Sequence, residues 1–465
     1  MSVMFQIGCS IIVCYTYFTF GLMYVWPSTT VKNFSSSNTT LHRPMYETEI
    51  ALFGSLSSIG ALISTLLTAL LLDKLGRKYS CVLCSLAQVV SWTIVVVSNR
   101  VEAILVATFI SGMGGNCALV VPIFVSEFSQ DSIRGMTTSG SMVAINLGIL
   151  VSYLLGGFLK YNTMIYACLS MSVASMVMLL LLKESPLFLM KKGMEKDSAK
   201  AIAFYSRAKE DSIEVLQKIN KIRMALNPDL EGLTPEEEKL NRNPLLLSKT
   251  SNWAFFKKSR STRRALLVVF TIYTAVVFQG TVVAQVYAKP LFEEAIPNIS
   301  ATLSSALLAL ISVMSNCTGA YLVDRVGRRA LIIYSSVFAG VSCVLLGSQV
   351  SLHWGPHWIN AVFIYVFIIM HMAGSETVPI VLVSEVFSPE IKGLMSMICL
   401  EWAWICNFMV LFLYNPLVSA IGLGPVFYIF AGVCFGGAVF CFFFLPETKG
   451  LSLNVIQTLF AKKYM

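Results

Sequence analysis

The chain is 465 residues long, 56% hydrophobic and only 13% charged, with a mean hydropathy of +0.73 and a formal net charge of +9. A soluble domain carries about 25% charged residues, and the apolar residues here come in long unbroken blocks. A soluble enzyme, a disordered regulator and a secreted disulfide scaffold are therefore excluded, leaving a polytopic membrane protein.

Apolar runs long enough to cross a bilayer as helices fall near residues 5–26, 49–71, 79–98, 101–125, 138–159 and 163–182. The first lacks a basic leader region and a small-residue cleavage site, so it reads as a retained span and not a signal peptide. Its aromatic series Tyr15, Tyr17, Phe18, Phe20, Tyr24 and Trp26 reads as lipid-facing or packing. Residues 183–264 form a polar insert holding 18 Lys+Arg and 11 Asp+Glu. Within it, segments starting at Ser198 and Ser212 have the period of short amphipathic helices, and Thr234-Pro235 marks a further helix start. Six more runs follow near 265–288, 303–323, 330–349, 358–383, 394–414 and 423–445, then a short tail over 451–465. The expected domains are thus 1–182, a first six-helix bundle; 183–264, a helical linker; 265–450, a second bundle; and 451–465.

Twelve spans put both termini on one side. If that side is the cytoplasm, 29 of the 34 Lys+Arg lie inside, and only Lys32, Arg43, Arg100, Lys160 and Lys289 lie outside, as the positive-inside rule requires. The sequons at Asn33, Asn38 and Asn298 all fall in outside loops, which makes these residues glycosylation candidates. The positive charge therefore sets topology, with no nucleic-acid partner needed. Ten of the twelve cysteines lie in apolar runs, and the single Cys81-x-x-Cys84 pair has no second pair or histidine beside it. Packing explains them better than metal or redox work. No cofactor, metal set or nucleophile–base motif is visible.

The chain also repeats itself. Asp73-Lys74-Leu75-Gly76-Arg77-Lys78 returns as Asp324-Arg325-Val326-Gly327-Arg328-Arg329, and Pro122, Glu127, Arg134 and Gly135 return as Pro379, Glu385, Lys392 and Gly393. Glu184-Ser185-Pro186 returns as Glu447-Thr448-Lys449. A common orientation with a slowly growing offset is what two parallel six-helix halves leave behind. Carboxylates and guanidinium groups at one membrane face can link the two half-bundles directionally, forming a latch that breaks in another state.

On these motifs the sequence resembles the sugar-porter branch of the major facilitator superfamily, and within it the insect trehalose-type facilitative carriers. The resemblance implies an all-α membrane protein with twelve transmembrane helices in two parallel repeats around a central cavity. It also implies an inner gating network of Asp73, Gly76, Arg77, Glu127, Arg134, Asp324, Gly327, Arg328, Glu385 and Lys392.

The pattern departs from the family where solute should bind. Met142 stands where the family has a glutamine on span five, six residues before the matching Gly148-Ile149-Leu150. The glutamine-rich motif of span seven has become Val276-Val277-Phe278-Gln279-Gly280-Thr281-Val282. Glu376-Thr377-Val378-Pro379-Ile380 replaces a segment ending in tryptophan, Ala403-Trp404 keeps only the tryptophan of an Asn-Trp pair, and Ser312 stands where an amide is common. Span one has no charged residue, and Thr108 replaces the arginine of span four, so the acid–base pair of proton-coupled members is absent.

Two carboxylates appear instead. Glu376 lies nine residues before Glu385, or ~13 Å along a helix, and Glu401 reaches a similar depth on the next span. A bare carboxylate there costs roughly 2.5–3.5 kcal/mol, so each should face the cavity or a partner, and a close pair could share a proton. A structural role, protonated and bonded to neighbouring helices, is the alternative for both; for Gln279 a helix–helix bond is as reasonable as solute contact. The solute-binding candidates are Gln279, Glu376, Glu401, Trp404, Met142 and Ser312.

The expected function is facilitative transport of a sugar (hexose or trehalose-like) or related solute by alternating access, by a multi-pass plasma-membrane monomer with cytoplasmic termini. Two alternatives stay open: a carrier of an amine, cation or organic solute using Glu376 and Glu401, and a non-transporting sensor on the same fold.

Overall fold

The computed structural model describes residues 2–226, 260–297, 299–387, 389–451 and 453–461. A hydrocarbon layer offers backbone groups no water, so each apolar run must satisfy its own N–H and C=O groups as a helix. Twelve membrane-length helices result among the described residues, as expected, and no strand is present. The first half contains Val3–Ser35 (α1), Glu47–Leu75 (α2), Arg77–Val97 (α3), Val101–Phe128 (α4), Asp131–Phe158 (α5) and Tyr161–Leu180 (α6). The second contains Ser261–Val286 (α7), Ala301–Val326 (α8), Arg328–Leu352 (α9), Trp358–Val386 (α10), Pro389–Ile421 (α11) and Leu423–Phe444 (α12).

Several helices outrun their apolar cores. α1 turns at Val25 and continues through Trp26–Ser35 with Pro27 in its first turn, a place where the missing N–H costs nothing. Asp131–Phe158 starts seven residues before the apolar run, because Asp131-Ser132-Ile133-Arg134 can propagate a helix in the polar layer. Three helices are interrupted at mid-depth, α4 by a 3-10 turn over Met113–Asn116. α7 breaks at Gly280, whose φ of +93° and contact with the Phe430 ring admit no side chain. α10 contains a π-turn over His371–Ser375, in which Glu376 N–H bonds the His371 carbonyl at 3.0 Å.

The linker helices Pro186–Lys191, Glu195–Ser206 and Ile213–Leu226 cap the first half. Tyr205 ties them there by stacking on Phe128 with centroids 4.5 Å apart and donating to the Lys183 carbonyl at 2.6 Å. The helix start expected at Thr234 lies outside the described residues. The tail contains a helix, Leu453–Ala461, whose Ile456 and Phe460 are buried in one cluster with Ala265, Leu266 and Val269 of α7. Its apolar face, and not its short length, decides this docking.

The halves meet along α2 with α11 and α5 with α8. The face carrying both termini and the linker is the terminal face. On the opposite face the halves are clasped. Val25, Ile149 and Tyr153 of the first half share a buried cluster with Val286, Tyr287, Leu291 and Phe292 of the second. Tyr153 Oη donates to the Gln285 carbonyl at 2.5 Å, Lys289 N–H to Ser28 Oγ at 2.9 Å, and Lys32 Nζ lies 3.0 Å from Glu293 Oε2.

Candidate functional site

The terminal face carries two copies of one charge network. Gly76 and Gly327, with φ of +94° and +100°, make the tight turns that start α3 and α9, so the first N–H groups of both helices point at a carboxylate. Glu184 accepts from Arg77 N–H at 2.9 Å and Lys78 N–H at 3.0 Å; Glu447 accepts from Arg328 N–H at 3.0 Å and Arg329 N–H at 3.1 Å. Negative charge at a helix N-terminus is favourable. Burial pushes the Glu447 carboxyl up, but the N–H groups of Lys449, Arg328, Arg329 and Thr448 outweigh it and hold the group below the usual carboxylate range.

The arginine side chains then reach the ends of α4 and α10. Arg77 Nε lies 3.1 Å from Glu127 Oε1, and Arg328 Nη2 lies 2.7 Å from Glu385 Oε1. Ser185 Oγ donates to Glu127 just as Thr448 Oγ1 donates to Glu385 at 2.7 Å. Asp324 lies 3.0 Å from Arg328 and Asp73 3.6 Å from Arg77, both carboxylates being solvent-exposed. Arg134 donates to the Ser126 carbonyl at 3.1 Å, and Lys392 is exposed. These pairs each close within one half, so in this state they brace helix ends and do not bridge the halves. Glu184, Ser185, Glu447 and Thr448 belong to the network although sequence reasoning left them out of it; their signal was the repeated Glu-Ser/Thr step.

At mid-depth the interior is polar at two places. Glu376, directly after the π-turn, has 45% of its side chain open. Tyr17 and Tyr24 of α1 and Tyr273 of α7 lie within electrostatic reach of it, so it faces the space between the halves. Tyr17 and Phe20 are buried and Tyr24 half-buried, so this stripe points inward and not to lipid. His371 stands behind Glu376, its Nδ1 3.7 Å from Glu376 Oε2 and its Nε2 3.1 Å from the Val276 carbonyl.

The second place runs along one side of α11. Both carboxylate oxygens of Glu401, the Trp404 indole N–H and Asn407 Oδ1 are buried without a hydrogen-bond partner among the described residues, and further along the helix Asn415 lies beside the Tyr287 hydroxyl. Buried polar atoms are nearly always paired, so such a row marks a place made for something polar. Trp404 packs into the first half, where a Cβ on Gly115 would meet its ring, so the row lies at the junction of the halves.

The other candidates are placed differently. Gln279 donates to Ser336 Oγ at 3.2 Å between α7 and α9, beside Gly437 of α12, inside the second half. Ser312 is fully buried and spends its proton on the Leu308 carbonyl at 2.9 Å. Met142 packs half-buried against the cluster that holds Phe20 and Trp404. Glu376 and Glu401 do not partner one another: the first faces His371 and the second has no partner. Asn33 accepts from Thr40 N–H at 3.1 Å, Asn38 is exposed, and Asn298 lies outside the described residues.

Known proteins give the arrangement a family. The chain is 22% identical over 414 residues to a facilitated trehalose transporter Tret1 of Culex quinquefasciatus, covering 87% of this chain and 76% of that one. It is 23% identical over 419 residues to the Bombyx mori protein of the same name, covering 88% and 78%. The structure superposes on the inward-open xylose transporter XylE of E. coli with a TM-score of 0.77 at 17% identity, covering 98% of this chain and 99% of that one. It does so on the D-xylose-proton symporter with a TM-score of 0.74 at 18% identity, covering 97% and 100%. The likeness shows a shared fold. The family described as "Sugar (and other) transporter" matches residues 2–460, and the chain belongs to it.

Proposed function

We propose that the protein moves a sugar, either a hexose or a trehalose-like disaccharide, or a closely related polyol, down its gradient by alternating access. Membership of a carrier family makes it a transporter and not an enzyme. The observation that carries the choice of solute is the row of unpaired polar atoms at the junction of the halves. It offers a donor (Trp404 Nε1) together with acceptors (Glu401, Asn407 Oδ1). A hydroxyl is the group that can meet both kinds at once, whereas an ammonium group only donates. Tyr17, Tyr24 and Trp404 supply flat apolar surface for the faces of a sugar ring.

The rocking bodies are residues 1–182 and 265–450, joined by the linker, in a monomer. The 29 basic residues on the terminal side favour a cytoplasmic terminal face. The sequons at Asn33, Asn38 and Asn298 then lie outside a plasma-membrane protein.

The test is uptake of labelled glucose, trehalose, polyols and organic cations into proteoliposomes. Sugar or polyol uptake is expected, with a large loss in the Glu376→Gln, Glu401→Gln double variant. Uptake confined to organic cations would replace this reading with the amine carrier. No uptake by folded protein would favour a sensor.

A further inference from the structure

The geometry points to His371 and Glu376 as a proton-binding site that makes solute exchange depend on pH. This inference rests on the carrier reading above. The Val276 carbonyl can only accept a hydrogen bond, so His371 Nε2, 3.1 Å away, carries a hydrogen. In a neutral imidazole the other nitrogen, Nδ1, is then a bare lone pair. It has no hydrogen-bond partner and faces Glu376 Oε2 at 3.7 Å. Two lone pairs in that position repel; one proton held between them, on the carboxyl oxygen or on Nδ1, turns the repulsion into an attraction. The pair therefore holds one exchangeable proton as a unit.

Access to that proton is one-sided. The His371 side chain is 3% exposed and that of Glu376 is 45% exposed, so the proton arrives from water in the central space by forming an O–H bond on Glu376. It leaves the same way, returning to water as the carboxylate forms.

The surroundings hold the pair in register. The π-turn bond from Glu376 N–H to the His371 carbonyl sets one side chain over the other. The next residue back, Ser375, is fixed to α9 by Ser335 Oγ at 3.0 Å and Ser336 Oγ at 3.1 Å. The titratable groups facing Glu376 are Tyr17 and Tyr24 from α1 and Tyr273 from α7. From α9 come the serines, and from α8 Gly319, packed against Ala373 and Thr377. Glu401 is the carboxylate of α11, and its oxygens have no partner. No lysine or arginine among the described residues faces the pair, so nothing else neutralises Glu376.

Occupancy reaches the opposite face through one helix. His371 grips the Val276 carbonyl of α7, four residues before the break at Gly280. Beyond the break, the same helix supplies the Gln285 carbonyl to Tyr153 of the first half. Both members of the pair lie on α10, so repulsion when empty and attraction when loaded shift the His371 ring relative to Glu376, and α7 feels that shift through the bond to Val276. The clasp is thereby biased by the proton.

Two measurements test this, the second of them separately from the carrier reading. The first is counterflow of labelled glucose and trehalose at equal pH on both sides, from about pH 5 to pH 8. The wild type should slow as pH rises, with the limiting slope of one proton, up to about tenfold per pH unit. His371→Gln, which keeps an N–H for Val276, should flatten that profile while exchange persists. The second is an infrared titration of the purified protein, following the protonated-carboxyl stretch. Glu376→Gln should remove a component that Glu401→Gln leaves in place, and His371→Gln should move its midpoint. A carboxyl band untouched by Glu376→Gln, or a midpoint unmoved by His371→Gln, overturns the proton site even where sugar exchange is intact. An intact band shift with no sugar exchange upholds the proton site and sinks the carrier of sugar instead.

Discussion

Single side chains divide into those that finish their own hydrogen bonds and those that leave them open. Ser312 spends its proton within its helix and its hydroxyl is fully buried, so Ser312→Ala should leave the apparent KM within error. Trp404 is the contrasting case. Trp404→Phe keeps the ring and deletes only the N–H, and should raise KM about 5- to 10-fold, the worth of one hydrogen bond of ~1–1.5 kcal/mol, measured by concentration-dependent uptake. The two glutamates were legible in the sequence because an acid at membrane depth is conspicuous. The inward tyrosines were not, because on an all-apolar helix an aromatic facing the cavity looks the same as one facing lipid. Gln279 could be read from the sequence in two ways, because an amide's presence is written there while its bond to Ser336 depends on how α7 packs on α9.

Helices and the turns between them carry the repeat. Gly76 and Gly327 are required both by positive φ and by the carboxylates of Glu184 and Glu447 that occupy the space of a Cβ. Gly327→Ala should lower thermal stability in detergent by at least about 1 kcal/mol, the cost of a non-glycine residue in that conformation plus the displaced carboxylate. Glu447 gives the same clasp an acid limit. Its carboxyl titrates lower in the folded protein than in the unfolded chain, so its contribution is complete above the ordinary carboxylate pKa of about 4.3. The contribution is lost as pH falls through the depressed value. Glu447→Gln should therefore destabilise the protein near neutrality and narrow its gap from the wild type in acid, as read by melting curves against pH. These networks were legible because each half repeats the same letters at a steady offset. The π-turn of α10 and the break of α7 were not, since both are tertiary compromises within ordinary apolar runs.

Across the whole molecule, the opposite face is closed in this state and must open for a solute to pass. A reducible bifunctional thiol reagent joining Lys32→Cys and Glu293→Cys, and so spanning the length of the two side chains whose tips now meet at 3.0 Å, should stop uptake, and reduction should restore it. The native cysteines are buried apart from Cys317, so competing cross-links are few. Twelve spans and a two-half plan could be read from hydropathy and repetition alone. The meeting of the halves at α2 with α11 and α5 with α8 could not, because small and apolar residues line every helix and do not name their partners.

The character of that clasp has a thermodynamic consequence. Its ion pair is largely exposed on the lysine side, with 76% of the Lys32 side chain open, and such pairs contribute about 0–1 kcal/mol. Beyond it are a few hydrogen bonds and an apolar seam that the other face could match when the halves tilt. With the apolar seam matched in this way the two states differ little in free energy, and both stay populated without a solute. A ligand preferring one of them by only ~1.4 kcal/mol would still shift the ratio tenfold. A near balance at the seam is thus what lets a small difference in affinity between the two states redistribute the whole ensemble.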